Sequence, residues 1–240
     1  MSIPRLYVEA DLAEGVDVPA LPGQGHYLGQ VMRKGKGFRS PLQRPARRMA
    51  RPHRRHPQGP RHPGAGGATA PPGRHARYPA AAGPLKRDAM EWVVEKATEL
   101  GVASIHPVLT TRGVVGRINH ERLSTIAREA AEQCERLDLP AIAPAQDLHA
   151  ALDAWDGTPL FLGHERGKAP SLASLLPGRV PRSGFWSVPR GFTKPELDAM
   201  GRRHFVSSAA LGPRILRAET AAVAGLAVLQ ALAGDWTVPS

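Results

Sequence analysis

The sequence predicts an α/β protein built on a parallel sheet, and three observations carry that prediction. Short apolar runs of strand length, Ile105–Leu109, Leu160–Leu162 and Phe205–Leu211, alternate with longer segments of helical period. The helical segments open on recognisable caps. The last of them, Ala218–Ala233, is rich in Ala and Leu and apolar nearly all round, as suits a helix buried in a core or at a dimer interface.

From the N-terminus, Ile3, Leu6, Tyr7 and Val8 suit a short strand, and His26–Met32 a short helix or strand. They are expected to belong to a small β-rich N-terminal domain over residues 1–36 whose remaining strands are missing. Residues 37–83 are different: they hold ten arginines, four histidines and no Asp, Glu or Lys, and lack Ile, Val and Trp. With too little apolar surface to bury, this stretch is expected to be disordered. It reads as an arginine-rich RNA-binding arm, a solvated linker, or GC-rich coding sequence translated out of frame, since Arg, Pro, Ala and Gly have GC-only codon boxes. Composition favours the last. The net charge of +11 lies almost wholly here: subtracting these ten positive charges leaves +1.

Regular patterning resumes over residues 84–240. Asp88 is placed as an N-cap with Glu91 three residues on, and Met90, Val93, Val94, Ala97 and Leu100 form one face before Gly101 stops the helix. Ile105–Leu109 is a strand. Asn119 caps a second helix with Leu123, Ile126, Ala127, Ala130 and Cys134 on its inner face. Leu160–Leu162 is a buried strand, Pro170–Leu176 a short helix, and Gly184–Val188 strand-like. Thr193-Lys194-Pro195-Glu196 is a capping box with proline in the first turn. Phe205–Leu211 is a strand, and Ala218–Ala233 the long final helix.

One cysteine, Cys134, excludes an internal disulfide or a cysteine-rich zinc site, and is expected to pack. No 18-residue apolar run and no secretory n- and h-region pattern are present, so no membrane span is expected and the setting is read as cytoplasmic. Dinucleotide, Walker, zincin and nucleophile-elbow motifs are absent, and no metal is expected. The informative stretch is Leu211-Gly212-Pro213-Arg214-Ile215-Leu216-Arg217-Ala218-Glu219-Thr220-Ala221. A Gly-Pro turn after a strand exposes backbone to a ligand, and the following helix start adds a positive dipole end. Spacing alone does not separate such a site from an ordinary strand-turn-helix junction with surface arginines.

That stretch resembles the C-terminal signature of the RsmE family, the uracil-N3 methyltransferases of 16S ribosomal RNA in the SPOUT superfamily. Leu85–Trp92, Glu95–Gly101, Glu129–Cys134 and the opening Ile3–Tyr7 resemble further family motifs in the same order. The resemblance implies a SPOUT-type parallel sheet with a C-terminal trefoil knot, a PUA-like N-terminal β-barrel, and a homodimer. It implies S-adenosylmethionine as cofactor and the 16S rRNA of the small ribosomal subunit as substrate. Carried over by position, Leu162, Gly163, Gly191, Leu211, Gly212, Pro213, Ile215 and Leu216 would border the cofactor. Arg214, Arg217 and Glu219 would serve catalysis, and Arg5 and Arg33 would contact RNA. One departure is marked: where the family has Gly-Pro-Glu-Gly-Gly-Phe-Thr, this chain reads Ser187-Val188-Pro189-Arg190-Gly191-Phe192-Thr193. A short frame excursion would leave that pattern. So would a degenerate cofactor loop, which would make the chain a catalytically impaired knotted protein of RNA binding or dimerisation.

Overall fold

A computed structural model describes residues 6–8, 19, 24, 42–43, 79–82, 87–111, 118–163, 169–176, 183–187 and 192–237. The chain divides into two units, Met1–Gly73 and Arg74–Ser240.

In the first unit, β1 (Leu6–Tyr7) pairs in parallel with β2 (Leu42–Gln43). Leu6 and Val8 are buried. Of the expected strand over residues 3–8, Leu6 and Tyr7 are strand, residues 3–5 lie outside the described residues, and the partner comes from the arginine-rich segment. His26–Met32, Arg5 and Arg33 lie outside the described residues.

The second unit holds a seven-stranded sheet, all parallel, ordered β5-β4-β3-β8-β7-β9 with β6 also paired to β4. Its strands are β3 (Pro79–Ala82), β4 (Ser104–Leu109), β5 (Ala141–Ile142), β6 (Gln146–Asp147), β7 (Leu160–Gly163), β8 (Gly184–Ser187) and β9 (Val206–Ala209). The helices are α1 (Arg87–Glu99), α2 (His120–Gln133), α3 (Leu148–Asp153), α4 (Lys194–Gly201) and α5 (Ala218–Ala233).

The correction of most consequence concerns β3. Pro79–Ala82 falls inside the stretch expected to contribute nothing to the core, yet it is an inner strand, paired with β4 on one side and β8 on the other. Its backbone groups are satisfied from both sides, and this pairing outweighs the poor strand propensity of Pro-Ala-Ala-Ala. The folded unit therefore begins before residue 84.

Alternation along the strands sends side chains to two cores. Ile105, Phe161, Phe185 and Ala209 join α1, α2 and α5 in one; Val108, Leu160, Leu162, Leu152 and Met200 join α3 and α4 in the other. α5 lies against β8 with Gly225 beneath the ring of fully buried Phe185. A Cβ built on Gly225 would come within 2.2 Å of that ring.

Several local details follow from side-chain chemistry. Asn119 caps α2, accepting a hydrogen bond from the Arg122 N–H at 3.1 Å. Gly101 ends α1 in the left-handed region, φ +80°. Asp88 sits in the first turn of α1 rather than at its cap, and Glu91 binds Arg87 and Arg122 instead of closing a capping box. Cys134 is the C-cap of α2 and is exposed, not packed. The expected helix over Pro170–Leu176 is a 3-10 turn, Leu172–Leu175, capped by Ser171. Leu226 and Leu229 of α5 are buried in their own core, while Val223, Val228 and Leu232 keep exposed surface. Among the described residues no helix is long and apolar enough to cross a membrane.

Candidate functional site

In a parallel sheet every strand ends at the same edge, and ligands collect there because the following loops and helix N-termini converge. Here that edge carries the ends of β7 at Gly163, of β8 at Ser187 and of β9 at Ala209. Gly163 pairs with Ala209 in register and is buried. Beyond the strands the chain is laced once more. The Leu172 N–H donates to the Ala210 carbonyl at 3.0 Å, and the Ala210 N–H to the Pro170 carbonyl at 2.8 Å.

This lacing sets the position of the Leu211–Leu216 loop. Leu211 packs partly on the α5-side core. Gly212 has φ +106°, a conformation L side chains rarely adopt, and a Cβ placed there would enter open space with nothing within 4 Å. Pro213, Arg214 and Ile215 are exposed, Leu216 half-buried. Arg217 is the N-cap of α5 and makes no side-chain cap hydrogen bond; its exposed guanidinium and that of Arg214 flank the helix start, with Glu219 half-buried in the first turn. The loop thus exposes backbone at Gly212, with two exposed arginines and the N-terminus of α5 following within a few residues.

Of the residues singled out in the sequence, Gly163, Leu211, Gly212, Pro213, Arg214, Ile215, Leu216, Arg217 and Glu219 lie at this edge. Leu162 is at the end of β7, but its side chain is buried in the α3/α4 core, leaving only backbone for a ligand. Gly191 and residues 188–190 lie outside the described residues.

Sequence reading missed a second feature of the edge. The Glu196 carboxylate is buried and accepts four hydrogen bonds. The Thr193 N–H and Oγ1 donate at 2.6 and 2.8 Å, the Thr111 N–H and Oγ1 at 2.8 and 3.0 Å. Burial opposes its ionisation, but the hydrogen bonds from Thr193 and Thr111 prevail and hold the carboxyl below the usual range. The capping box was visible; Thr111, 85 residues away, was not.

Fold and edge together define a class: a parallel α/β protein whose strands β7, β8 and β9 end side by side at one carboxyl edge. A family model described as an RNA methyltransferase domain matches residues 75–230, and the chain belongs to that family. Its start before Pro79 agrees with β3 being part of the fold. The chain is 30% identical over 151 residues to the ribosomal RNA small subunit methyltransferase E of Rickettsia conorii, covering 62% of each. It is 29% identical over 163 residues to the protein of the same name from Bacillus subtilis, covering 62% of this chain and 63% of the relative. The chain thus spans under two thirds of the length of these curated relatives. In fold it is similar to the Neisseria gonorrhoeae methyltransferase E solved with S-adenosylmethionine, with TM-score 0.74, 22% identity and coverage of 98% and 100%. A Legionella pneumophila methyltransferase solved with the same cofactor gives TM-score 0.76, 22% identity and the same coverage. The resemblance read from the motifs is borne out by these relatives.

Proposed function

We propose that the chain is an S-adenosylmethionine-dependent methyltransferase acting on N3 of a uridine in small-subunit ribosomal RNA, as a cytoplasmic homodimer with a trefoil knot at its C-terminal end. The observation that carries this reading is the Leu211–Leu216 loop. It bears the family signature, follows β9 at the carboxyl edge, and holds Gly212 in a backbone conformation that favours glycine, with nothing within 4 Å of where a Cβ would lie. An adenosine-bearing cofactor can approach backbone there as it could not approach side chains, so the residues present fit the group.

When bound, the sulfonium cofactor supplies an electrophilic methyl group. Gly163 and the backbone of Leu211, Gly212 and Pro213 would border it, with Ile215 and Leu216 as apolar cover. The chain's remaining work is alignment, which contributes several kcal/mol when geometry is held. The uracil N3 must also lose its proton, since neutral N3 is a poor nucleophile. Arg214 and Arg217, both exposed, would grip an RNA phosphate or stabilise charge developing on the uracil oxygens. Glu219 is the nearby carboxylate of the same helix start. Arg5, Arg33 and Gly191 keep their roles as RNA and cofactor contacts in this reading.

The test is calorimetric binding of S-adenosylmethionine by the chain and by Gly212→Val, whose side chain would occupy the open space in a strained backbone. Binding by the parent and its loss in a folded Gly212→Val variant support the proposal. RNA binding without any cofactor binding would instead make the chain a non-catalytic RNA-binding or dimerisation protein.

A further inference from the structure

We propose that Glu196 is a positioning residue for cofactor binding, tying the start of α4, the next element after β8, to the end of β4; this rests on the reading of the carboxyl edge as the cofactor site. Strands β4 and β8 are not neighbours, because β3 lies between them. Their carboxyl ends are nevertheless joined through one buried side chain. Oε1 of Glu196 takes both donors of Thr111, two residues past β4, and Oε2 takes both donors of Thr193.

A helix cap needs only the Thr193 half of this arrangement. A capping box is satisfied when Thr193 Oγ1 accepts from the Glu196 N–H, here at 3.4 Å, and the Glu196 carboxylate accepts from the Thr193 N–H. The Thr111 half adds nothing to the cap. It spans 85 residues, takes up the carboxylate's second oxygen, and fixes Thr193 against a neighbouring element. Phe192, the residue before Thr193, is buried in the α3/α4 core, so the chain entering α4 is held from two sides. In sequence, Phe192 follows the last residue of β8, Ser187, by five positions. A carboxylate is the suitable group, since four donors converge on it and only an ionised carboxyl accepts at both oxygens without presenting a donor of its own.

Two substitutions separate positioning from capping. Glu196→Gln presents an amide N–H₂ where donors already point. Thr111→Val removes one donor of the inter-loop tie and leaves the capping box of α4 whole. The full-length chain and both variants are titrated with S-adenosylmethionine by equilibrium dialysis, alongside thermal melts followed by circular dichroism. The proposal expects the dissociation constant to rise about tenfold for Glu196→Gln and about threefold or more for Thr111→Val. Methyl transfer at saturating cofactor should change less than the KM for cofactor. Unchanged cofactor affinity in Thr111→Val, with the parent binding, overturns the proposal even if Glu196→Gln fails to fold. Failure of the parent chain to bind cofactor overturns the underlying reading of the edge, and the proposal with it.

Discussion

Replacing Gly225 by alanine should destabilise the methyltransferase unit, against the usual effect of such a change in a helix. Gly225 lies within α5, where alanine would ordinarily be preferred by about 1 kcal/mol. Here the new methyl would fall 2.2, 2.3 and 2.4 Å from three ring atoms of Phe185. That ring is 1% exposed and belongs to β8, which is bonded to β3 and β7 on its two sides. It has no solvent to swing into, and overpacking of a tight core costs about 1 to 3 kcal/mol, occasionally more. Contacts this short place the overpacking cost in the upper part of that range, about 2 to 3 kcal/mol, so after the helix-propensity gain the net loss should be about 1 to 2 kcal/mol. For a unit of this size that lowers Tm by roughly 5 °C. Thermal and urea melts of the full chain measure it. Phe185→Leu should relieve the clash, so the double variant should be less destabilised than the sum of the singles. A Gly225→Ala protein as stable as the parent, or strict additivity with Phe185→Leu, would refute the packing argument.

Replacing residues 187–190 with Gly-Pro-Glu-Gly should tighten S-adenosylmethionine binding by roughly ten- to a hundredfold, since Val188 and Arg190 add side chains and Pro189 removes an N–H where the family has glycine-rich backbone; calorimetry on both proteins decides it, and equal affinity refutes it. Arg214→Gln and Arg217→Gln should each weaken RNA binding and reduce its salt slope by about one, read from binding isotherms at several salt concentrations; an unchanged slope would remove both from the RNA contact. Deleting residues 39–72 should spare the fold of the methyltransferase unit, whereas extending the deletion to 82 removes β3 and should unfold it, as circular dichroism would show. Because the Glu196 carboxyl is held below the usual range, its contribution to stability is present above that range and is lost as pH falls through the lowered value. The protection factor of the Thr111 amide, taken relative to its intrinsic exchange rate at each pH, should therefore fall in acid before that of the bulk of the sheet, and unchanged protection there would contradict it.

The elements that sequence reading found are those whose local chemistry agrees with the fold. The Thr193–Glu196 box, the Asn119 cap, the Gly101 stop and the apolar α5 all signal themselves within one helical turn. The elements it missed or misplaced depend on distant partners. Pro79–Ala82 has no β-branched or alternating apolar signature and is a strand only because β4 and β8 flank it. Helix α3 has a capping aspartate, Asp147, which accepts from His149, but six residues are too few for periodicity to declare it. Cys134 follows the inner-face spacing of α2, yet the helix ends before it and turns it outward. At the site, the Leu211–Leu216 loop was legible because its residues are contiguous. The lacing of Ala210 to Pro170 and Leu172, which places that loop, was not. Nor was the Thr111 end of the Glu196 tie.

The central claim is that the carboxyl edge of this sheet presents a cofactor's methyl group to uridine N3. The most direct measurement is transfer of labelled methyl from S-adenosylmethionine to unmodified small ribosomal subunits, with the modified nucleoside identified by mass spectrometry. It should be run on the chain, its loop-restored form and a folded Gly212→Val control. The account predicts N3-methyluridine with the first two, more with the loop restored, and none with the control. Label on another atom or nucleoside, or no transfer by a folded, cofactor-binding, loop-restored protein, would contradict it.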